Sequence, residues 1–241
     1  MVLSATDHPA ADSERLRILD AAERLFYAHG LQLVGMDQVR GAAGVSLKRL
    51  YREFPSKDQL IEAYLLRRDA RWLTSLRTAT AAPATPAERI LAAFDWLGEW
   101  FAEPGFRGCA FTNSFGELGA ESSTVAAIAA AHKAEFRSVF VDLARLHAAE
   151  HSDPVGAGDS ELGEYLYLLA EGAITAAAVT GDRGSAASAR AAAAVLLTRS
   201  SASDSRQPTR PADASRDLPA VRRIGARLVG NAPWRLLRRR R

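Results

Sequence analysis

Apolar residues recur at helical spacing along most of the chain. Spacings of i, i+4 and i+8 place such residues on one side of an α-helix, as Ile18, Ala22 and Phe26 illustrate. No segment alternates apolar and polar residues with the period of two that indicates a β-strand. The pattern therefore predicts an all-α fold, with loops at residues 78–87 and 152–160 between the later helices.

Residues 36–60 contain two short helical patterns joined by a tight turn. Gly44 can end the first helix in a left-handed conformation, and Ser46 can cap the second. The second helix is basic, and its apolar side continues from Leu50 to Phe54. Two helices joined by a short turn with a glycine, the second of them cationic, form the helix-turn-helix arrangement that lays its second helix in the DNA major groove.

The run AAGVSLKRLYREFPSKDQL at residues 42–60 resembles the DNA-binding domain of tetracycline-repressor-type (TetR-type) regulators, and the resemblance extends over about residues 12–72. The family pattern reads roughly A-A-G-V-S-x-x-x-L-Y-x-x-F-x-S-K-x-x-L; the matching positions are Ala42, Ala43, Gly44, Val45, Ser46, Leu50, Tyr51, Phe54, Ser56, Lys57 and Leu60. The chain departs from the family at Gly35, where a Thr or Ser cap is usual, and at Lys48 and Arg49. The second departure changes what a groove would meet, so base preference does not carry over.

This resemblance implies a homodimeric, DNA-binding transcription regulator, which in that family is most often a repressor. The residues expected to face base edges are Leu47, Lys48 and Arg49, and those expected to contact phosphates are Ser46, Tyr51, Arg52 and Lys57. The alternative is a helical hairpin in the core of an ordinary helical protein, with its basic side chains merely solvated. Four basic side chains against one acid, Glu53, between residues 46 and 57 favour DNA binding.

Four segments are predicted along the chain. They are a disordered N-terminus (1–11), a helix-turn-helix domain (12–72), a larger helical domain for ligand binding and dimerisation (73–198), and a disordered linker with a basic tail (199–241). The helix that begins at Ser56 is predicted to continue through Leu76. A rigid element would then join the two domains, so that a ligand in the second could reorient the first.

The net charge of +3 is unevenly distributed. Residues 1–57 carry 8 basic and 7 acidic groups, residues 58–199 carry 12 and 18, and residues 200–241 carry 11 and 3. The three parts therefore have net charges of +1, −6 and +8. An acidic middle part indicates a separate body that does not itself touch nucleic acid.

Small residues repeat at helical spacing in the last two predicted helices. They lie four apart at Gly172, Ala176 and Thr180, and four and three apart at Ala187, Ala191 and Ala194. Small faces allow helices to approach closely. They could fill the core of a monomer, or they could form a four-helix dimer interface from two subunits.

Aromatic residues of the second domain predict a ligand cavity. Its expected lining is Trp96, Phe101, Phe111, Phe115, His132 and Phe136, with the histidine as the one polar anchor. Such a lining favours a small apolar or weakly polar effector, although each residue could also be ordinary core. Cys109 is the single cysteine, which excludes an intramolecular disulfide and fits a reducing cytoplasm. It is interpreted as a small buried hydrophobe, with redox sensing as the alternative.

His147, Glu150 and His151 form an H-x-x-E-H string, the inverted zinc-protease pattern. Short strings of this kind also arise by chance, and this one lies at a predicted helix end. The sequence contains no G-x-S-x-G, P-loop, G-x-G-x-x-G or zinc-finger spacing. No enzyme activity, cofactor or metal is predicted, and a zinc hydrolase stays as an alternative.

Residues 218–241 are cationic and carry Trp234, Leu236 and Leu237 near the end. A disordered basic tail, an auxiliary DNA contact and docking on a membrane surface are the three interpretations. Because no signal peptide and no run of 18 apolar residues occurs, the protein is expected in the cytoplasm without integral membrane association.

Overall fold

A computed structural model describes the backbone of residues 8–150 and 157–202 and the side chains of residues 13–150 and 161–198. Within these ranges every regular element is a helix, which confirms the all-α prediction. The helices are α1 (His8–His29), α2 (Met36–Ala43), α3 (Leu47–Glu53), α4 (Lys57–Ala81), α5 (Pro86–Ala102), α6 (Ala110–Leu118), α7 (Ser123–Glu150), α8 (Ala157–Thr180) and α9 (Ser185–Ala202).

Local sequence signals set the geometry of α2 and α3. Gly44 follows α2 with φ 65° and ψ 36°, the left-handed conformation that glycine adopts at low cost. The Ser46 Oγ then accepts a hydrogen bond from the Arg49 backbone N–H at 3.3 Å and caps α3. Leu50 and Phe54 are fully buried against the other helices of the group. The predicted turn and cap are therefore confirmed, and the outer side of α3 is left to solvent.

Gly35 precedes α2 without a side chain that could cap it. The Gln38 side chain compensates in part, because its Oε1 accepts the Gly35 backbone N–H at 2.8 Å. This bond is one half of a capping box and satisfies a backbone donor just ahead of the helix.

The joint between the two predicted domains is one continuous helix, α4. Its start is capped by Ser56, whose Oγ accepts the Gln59 backbone N–H at 3.1 Å. The prediction of a loop from residue 78 is wrong at its beginning, because α4 runs on to Ala81. Thr80 is buried there and its hydroxyl donates to the Leu76 carbonyl oxygen at 3.0 Å, so a threonine-rich segment is accommodated in the helix.

The larger body packs α4, α5, α6, α7, α8 and α9 around aromatic side chains. Thr85 and Glu88 form a capping box at the start of α5, with Pro86 in the first turn. Near the start of α8, a Cβ added at Gly163 would lie 2.6 Å from the Val141 Cα. The glycine therefore permits the close approach of α8 to α7.

Several helix boundaries differ from the predictions. The backbone is helical from His8, inside the segment predicted as a disordered lead-in, and α8 begins at Ala157, inside the predicted loop at residues 152–160. The last helix extends to Ala202, into the predicted linker. The basic tail with Trp234, Leu236 and Leu237 lies outside the described residues.

The outer face of α8 and α9 exposes apolar side chains. Leu168, Val179 and Val195 are 60%, 80% and 54% exposed. Gly172, Thr180, Ala187 and Ala191 are exposed beside them, while Ala176 and Ala194 are half-buried. Ala177 by contrast is only 4% exposed and belongs to the core of its own subunit. The small residues predicted on α8 and α9 thus lie on or beside the exposed face, and Ala177, which follows Ala176 directly, belongs to the core.

Candidate nucleic-acid interface

Helix α3 displays a cationic and partly aromatic outer face. Lys48, Arg49 and Arg52 are exposed, and Leu47 and Tyr51 are 44% and 45% exposed. The opposite side, with Leu50, is fixed in the core. A short helix held from beneath, with basic side chains pointing away, has the geometry required for insertion into a major groove.

The cations of α3 differ in their surroundings. Glu14 of α1 forms ion pairs with Arg49 Nη1 and, at 3.5 Å, with Arg52 Nη2. Arg52 also reaches Glu53 at 3.1 Å. Among the described side chains Lys48 takes part in no ion pair. The two predicted base-reading cations are therefore not equivalent in the DNA-free protein.

The remaining predicted phosphate contacts lie around α3. Ser46 is exposed and its Oγ serves as the helix cap. Lys57, at the start of α4, is half-buried and its Nζ donates to the Gln32 carbonyl oxygen at 3.2 Å. All seven residues thus lie on α3 or next to its ends, and their individual roles toward DNA stay predictions.

Arg15 of α1 holds the end of α3 in place. Its guanidinium lies 4.3 Å from the centre of the Phe54 ring, and its Nη1 donates to the Glu53 carbonyl oxygen at 3.1 Å. Because α1 contacts α3 through both Glu14 and Arg15, it fixes the orientation of the whole helix. These contacts span 35 or more residues of sequence.

Two sets of hydrogen bonds connect the helix-turn-helix group to α6. The Tyr27 hydroxyl donates to the Gly108 carbonyl oxygen at 2.9 Å and accepts from the Arg107 backbone N–H at 2.9 Å, just before α6. At the other end of α6, Glu117 accepts the Gln32 backbone N–H at 3.0 Å. A groove of about 860 Å³ lies between these contacts. Any displacement of α6 would act directly on α1 and on the loop that follows it.

The six residues predicted to line a ligand cavity do not share one cavity. Trp96 lines an outer groove with Trp72, and Phe111 lines an apolar cleft with Phe115, which is 54% exposed. Phe101, His132 and Phe136 are fully buried. The reason is Trp72, whose ring packs edge-on against Trp96, Trp100, His132 and Phe136 with centroids 4.9 to 5.6 Å apart. Trp72 therefore packs against three of the six predicted residues, Trp96, His132 and Phe136.

A chain of polar groups crosses the same core. The His132 Nδ1 lies 2.7 Å from the Asp69 Oδ1 of α4, and the His132 ring stacks on Phe111 with centroids 3.7 Å apart. The Cys109 thiol, which caps α6, lies near the same histidine. Lys133 then joins the Cys109 Sγ at 3.4 Å to the Glu171 carboxylate at 2.7 Å. The chain connects α4, α6, α7 and α8.

The Cys109 thiol has a perturbed pKa. Its burial would raise the pKa, but the neighbouring His132, the Lys133 ammonium and the Thr112 backbone N–H together outweigh burial and lower the pKa to about 6. The interpretation of Cys109 as a plain buried hydrophobe is therefore incomplete. The residue is buried, and its Sγ also contacts the Lys133 ammonium and the Thr112 backbone N–H.

The zinc alternative receives no support from the described residues. His147 is buried on α7 and Glu150 is exposed at the helix end, while His151 lies outside the described residues. Over residues 13–150 and 161–198, no three His, Cys, Asp or Glu side chains come together as a metal site would require.

Comparison with known proteins agrees with this geometry. The family model described as "Bacterial regulatory proteins, tetR family" matches residues 18–64, which include α2 and α3. The structure of a TetR-family transcriptional regulator from Streptomyces coelicolor superposes with a TM-score of 0.70 at 29% identity, covering 79% of this chain and 97% of that one. The chain belongs to the TetR family. The all-helical body beyond the helix-turn-helix group is thus the C-terminal domain of a TetR-family protein.

Two curated relatives of this TetR-family chain are also named as regulators. An uncharacterized HTH-type transcriptional regulator of Mycobacterium tuberculosis is 35% identical over 119 residues, which are 48% of this chain and 59% of the relative. The HTH-type transcriptional activator FasR of Mycolicibacterium smegmatis is 33% identical over 84 residues, or 35% and 38% of the two chains. The matches therefore span less than two thirds of these relatives. Their names, like that of the family, describe regulators rather than enzymes.

Some residues that shape both regions of this TetR-family protein were not predicted as site residues. They are Glu14, Asp69, Trp72, Lys133 and Glu171. Trp72 could have been found from its position on the inner stripe of α4. The charged residues gave no local signal, because each pairs with a partner 35 to 63 residues away.

Proposed function

We propose that this protein is a homodimeric transcriptional repressor that reads a near-palindromic operator and is released by a small apolar ligand. The observation that carries the proposal is the outer face of α3, where exposed cationic side chains stand on a helix fixed from beneath. Each subunit would place α3 in a major groove, with the two helices about 34 to 36 Å apart. The protein would act in the cytoplasm, where its DNA is accessible.

The outer face of α8 and α9 supports the dimer. Leu168, Val179 and Val195 are exposed to water in a single subunit. Residues 161–180 of α8 are apolar enough to match a membrane-crossing helix by composition, with 39% of the most apolar window buried. In a protein whose other helices pack around a common core, such a face is best covered by the same two helices of a second subunit.

An apolar cleft between α6 and α7 supports ligand control. It has a volume of about 290 Å³ and is lined by Phe111, Thr112, Phe115, Ala126, Ala129, Ala130 and Lys133. A ligand that widened this cleft would move α6, which is hydrogen-bonded to α1 and the following loop. Useful induction requires the ligand to favour the non-binding arrangement by about 3 to 5 kcal/mol.

Selection of DNA from a random pool by the full chain tests the proposal. Enrichment of a two-fold symmetric sequence, with half-sites about 10 base pairs apart from centre to centre, is the expected result. A reporter gene placed behind that sequence should be less active when the protein is present. Recovery of no sequence above the background of the pool would contradict DNA recognition by this protein.

A further inference from the structure

We propose that Glu14 is a specificity-determining residue, a role that rests on the proposed function. Its carboxylate holds Arg49 and Arg52 in the DNA-free protein. This contact leaves Arg49 able to read a base, but it competes with phosphates for both arginines. Glu14 therefore lowers the affinity for nonspecific DNA more than the affinity for the operator.

The geometry concentrates three arginines on one carboxylate. Glu14 is 14% exposed and lies on α1, behind α3. One oxygen, Oε1, binds Arg49 Nη1 and lies 3.8 Å from Arg17 Nη2, while the other, Oε2, lies 3.5 Å from Arg52 Nη2. The guanidinium groups of Arg49 and Arg52 are on the open side, with side chains 55% and 60% exposed.

Arg49 can keep this contact while it binds a base. A guanidinium has five N–H donors, and the Glu14 contact takes Nη1. The edge formed by Nε and Nη2 is then the one that can bind the O6 and N7 of a guanine in bidentate fashion. The carboxylate would hold the guanidinium plane in a fixed orientation during that contact.

Phosphate binding depends on the positive charge of the side chains rather than on the orientation of one guanidinium. Nonspecific affinity comes almost entirely from basic side chains that neutralise phosphates and release counterions. The negative charge of Glu14 offsets part of the positive charge that Arg49 and Arg52 offer to phosphates, and it also repels the DNA backbone. Lys48 has no such competitor among the described side chains. One carboxylate thus reduces the phosphate-binding capacity of α3 without occupying its base-reading edge.

The test replaces Glu14 by Gln in the full chain. The wild-type and E14Q proteins are titrated with the selected operator and with a scrambled duplex of equal length, from about 50 to about 200 mM salt. The scrambled duplex should bind E14Q roughly 2- to 10-fold more tightly, and its salt dependence should steepen by about one ion. Operator affinity should stay equal or fall, so the ratio of the two affinities decreases.

Glu23 supplies a matched control on the same helix. It also binds two arginines, Arg68 and Arg71, both at 3.0 Å, and E23Q changes the net charge by the same amount. E23Q should leave the affinity for scrambled DNA and its salt dependence at the wild-type values. An equal gain in E23Q would reduce the effect to net charge and overturn the proposal, as would a greater gain for the operator than for scrambled DNA in E14Q.

A double-mutant cycle identifies the partners. The gain of E14Q for scrambled DNA should shrink in an R49A or R52A background, because the released side chain is then missing. If E14Q increases the affinity for scrambled DNA as much in both of these backgrounds as it does in the wild-type protein, the role of these arginines is refuted. Failure of the proposed function is a separate outcome, in which the wild-type protein selects no operator at all. A different outcome is that an operator is selected and K48A binds it more weakly than the wild-type protein does. If E14Q then changes the affinity for neither the operator nor the scrambled duplex, only the role of Glu14 is refuted.

Discussion

The outer face of α3 and the polar chain in the core of the larger body use charge in different ways. On α3, Arg49 and Arg52 are more than half exposed and share one carboxylate. In the body, His132 is fully buried and holds Asp69, while Cys109 depends on a neighbouring lysine. Exposed pairs are weak and screened by salt, whereas buried groups must keep their partners. Changes on α3 should therefore act on DNA binding, and changes in the core should act on stability.

The largest expected effect is the loss of stability when a buried side chain of the larger body is truncated. Phe136→Ala removes a fully buried ring that contacts Trp72, Phe140 and Tyr167, and should lower the free energy of unfolding by about 3 to 5 kcal/mol. Phe115→Ala is the matched control, because this ring is 54% exposed and should cost less than about 1 kcal/mol. Urea denaturation measures both. Equal losses in the free energy of unfolding would mean that the buried Phe136 ring stabilises the protein no more than the exposed Phe115 ring does.

The next effect concerns the outer face of α8 and α9. Ala176→Arg places a long charged side chain among the exposed apolar residues, and should weaken the dimer by about 2 to 4 kcal/mol with loss of operator binding. Ala177→Arg is not an equivalent test, because Ala177 is buried within its subunit and an arginine there should prevent folding. Sedimentation gives the oligomeric state. An Ala176→Arg protein that remains a dimer would place the interface on another surface.

The stability of the core should also depend on pH. Because the pKa of Cys109 is lowered from its ordinary 9.0 to about 6, the folded protein binds fewer protons than the unfolded chain between these values. The contribution of the Cys109 thiolate to the free energy of unfolding is therefore complete above pH 9 and is lost as the pH falls toward and through 6. A pKa lowered from 9.0 to about 6 corresponds to a contribution on the order of 4 kcal/mol.

Urea denaturation of wild-type and Cys109→Ala proteins from pH 6 to 9 measures this contribution. The wild-type protein should gain more stability with rising pH than the variant does. Thiolate absorbance at 240 nm provides an independent readout on the folded protein. Parallel stability curves and a thiol that titrates near 9 would show that the thiol is not held as an anion.

The same contrast explains how much could be predicted. The turn and caps of the helix-turn-helix group depend on neighbouring residues, so Gly44, Ser46 and Ser56 sufficed to predict α2, α3 and the start of α4. The continuation of α4 through Thr80 was missed because its threonines bond back to carbonyl oxygens of their own helix. The pairing of Glu14 with Arg49 and of Asp69 with His132 depends on how distant helices pack, which no local pattern encodes.

The six residues of the predicted ligand site do not line one common cavity, and their role toward a ligand stays a prediction. Helical periodicity does not tell whether another ring packs between side chains that face the same core. Trp72 does so here. Ala176 and Ala177 show the same limit. They are neighbours on α8, but Ala176 lies at the outer face and Ala177 lies in the core.

The central claim, that α3 reads DNA, is tested most directly by the base preference of Lys48→Ala against that of Lys57→Ala. Affinities for the selected operator and for every single-base variant of it are measured at one salt concentration. Loss of Lys48 should change the preference at one base pair by roughly 1 to 3 kcal/mol, while loss of Lys57 should weaken all sequences alike and lower the salt slope by about one. Uniform weakening by both substitutions, with no change of preference at any position, would contradict the account.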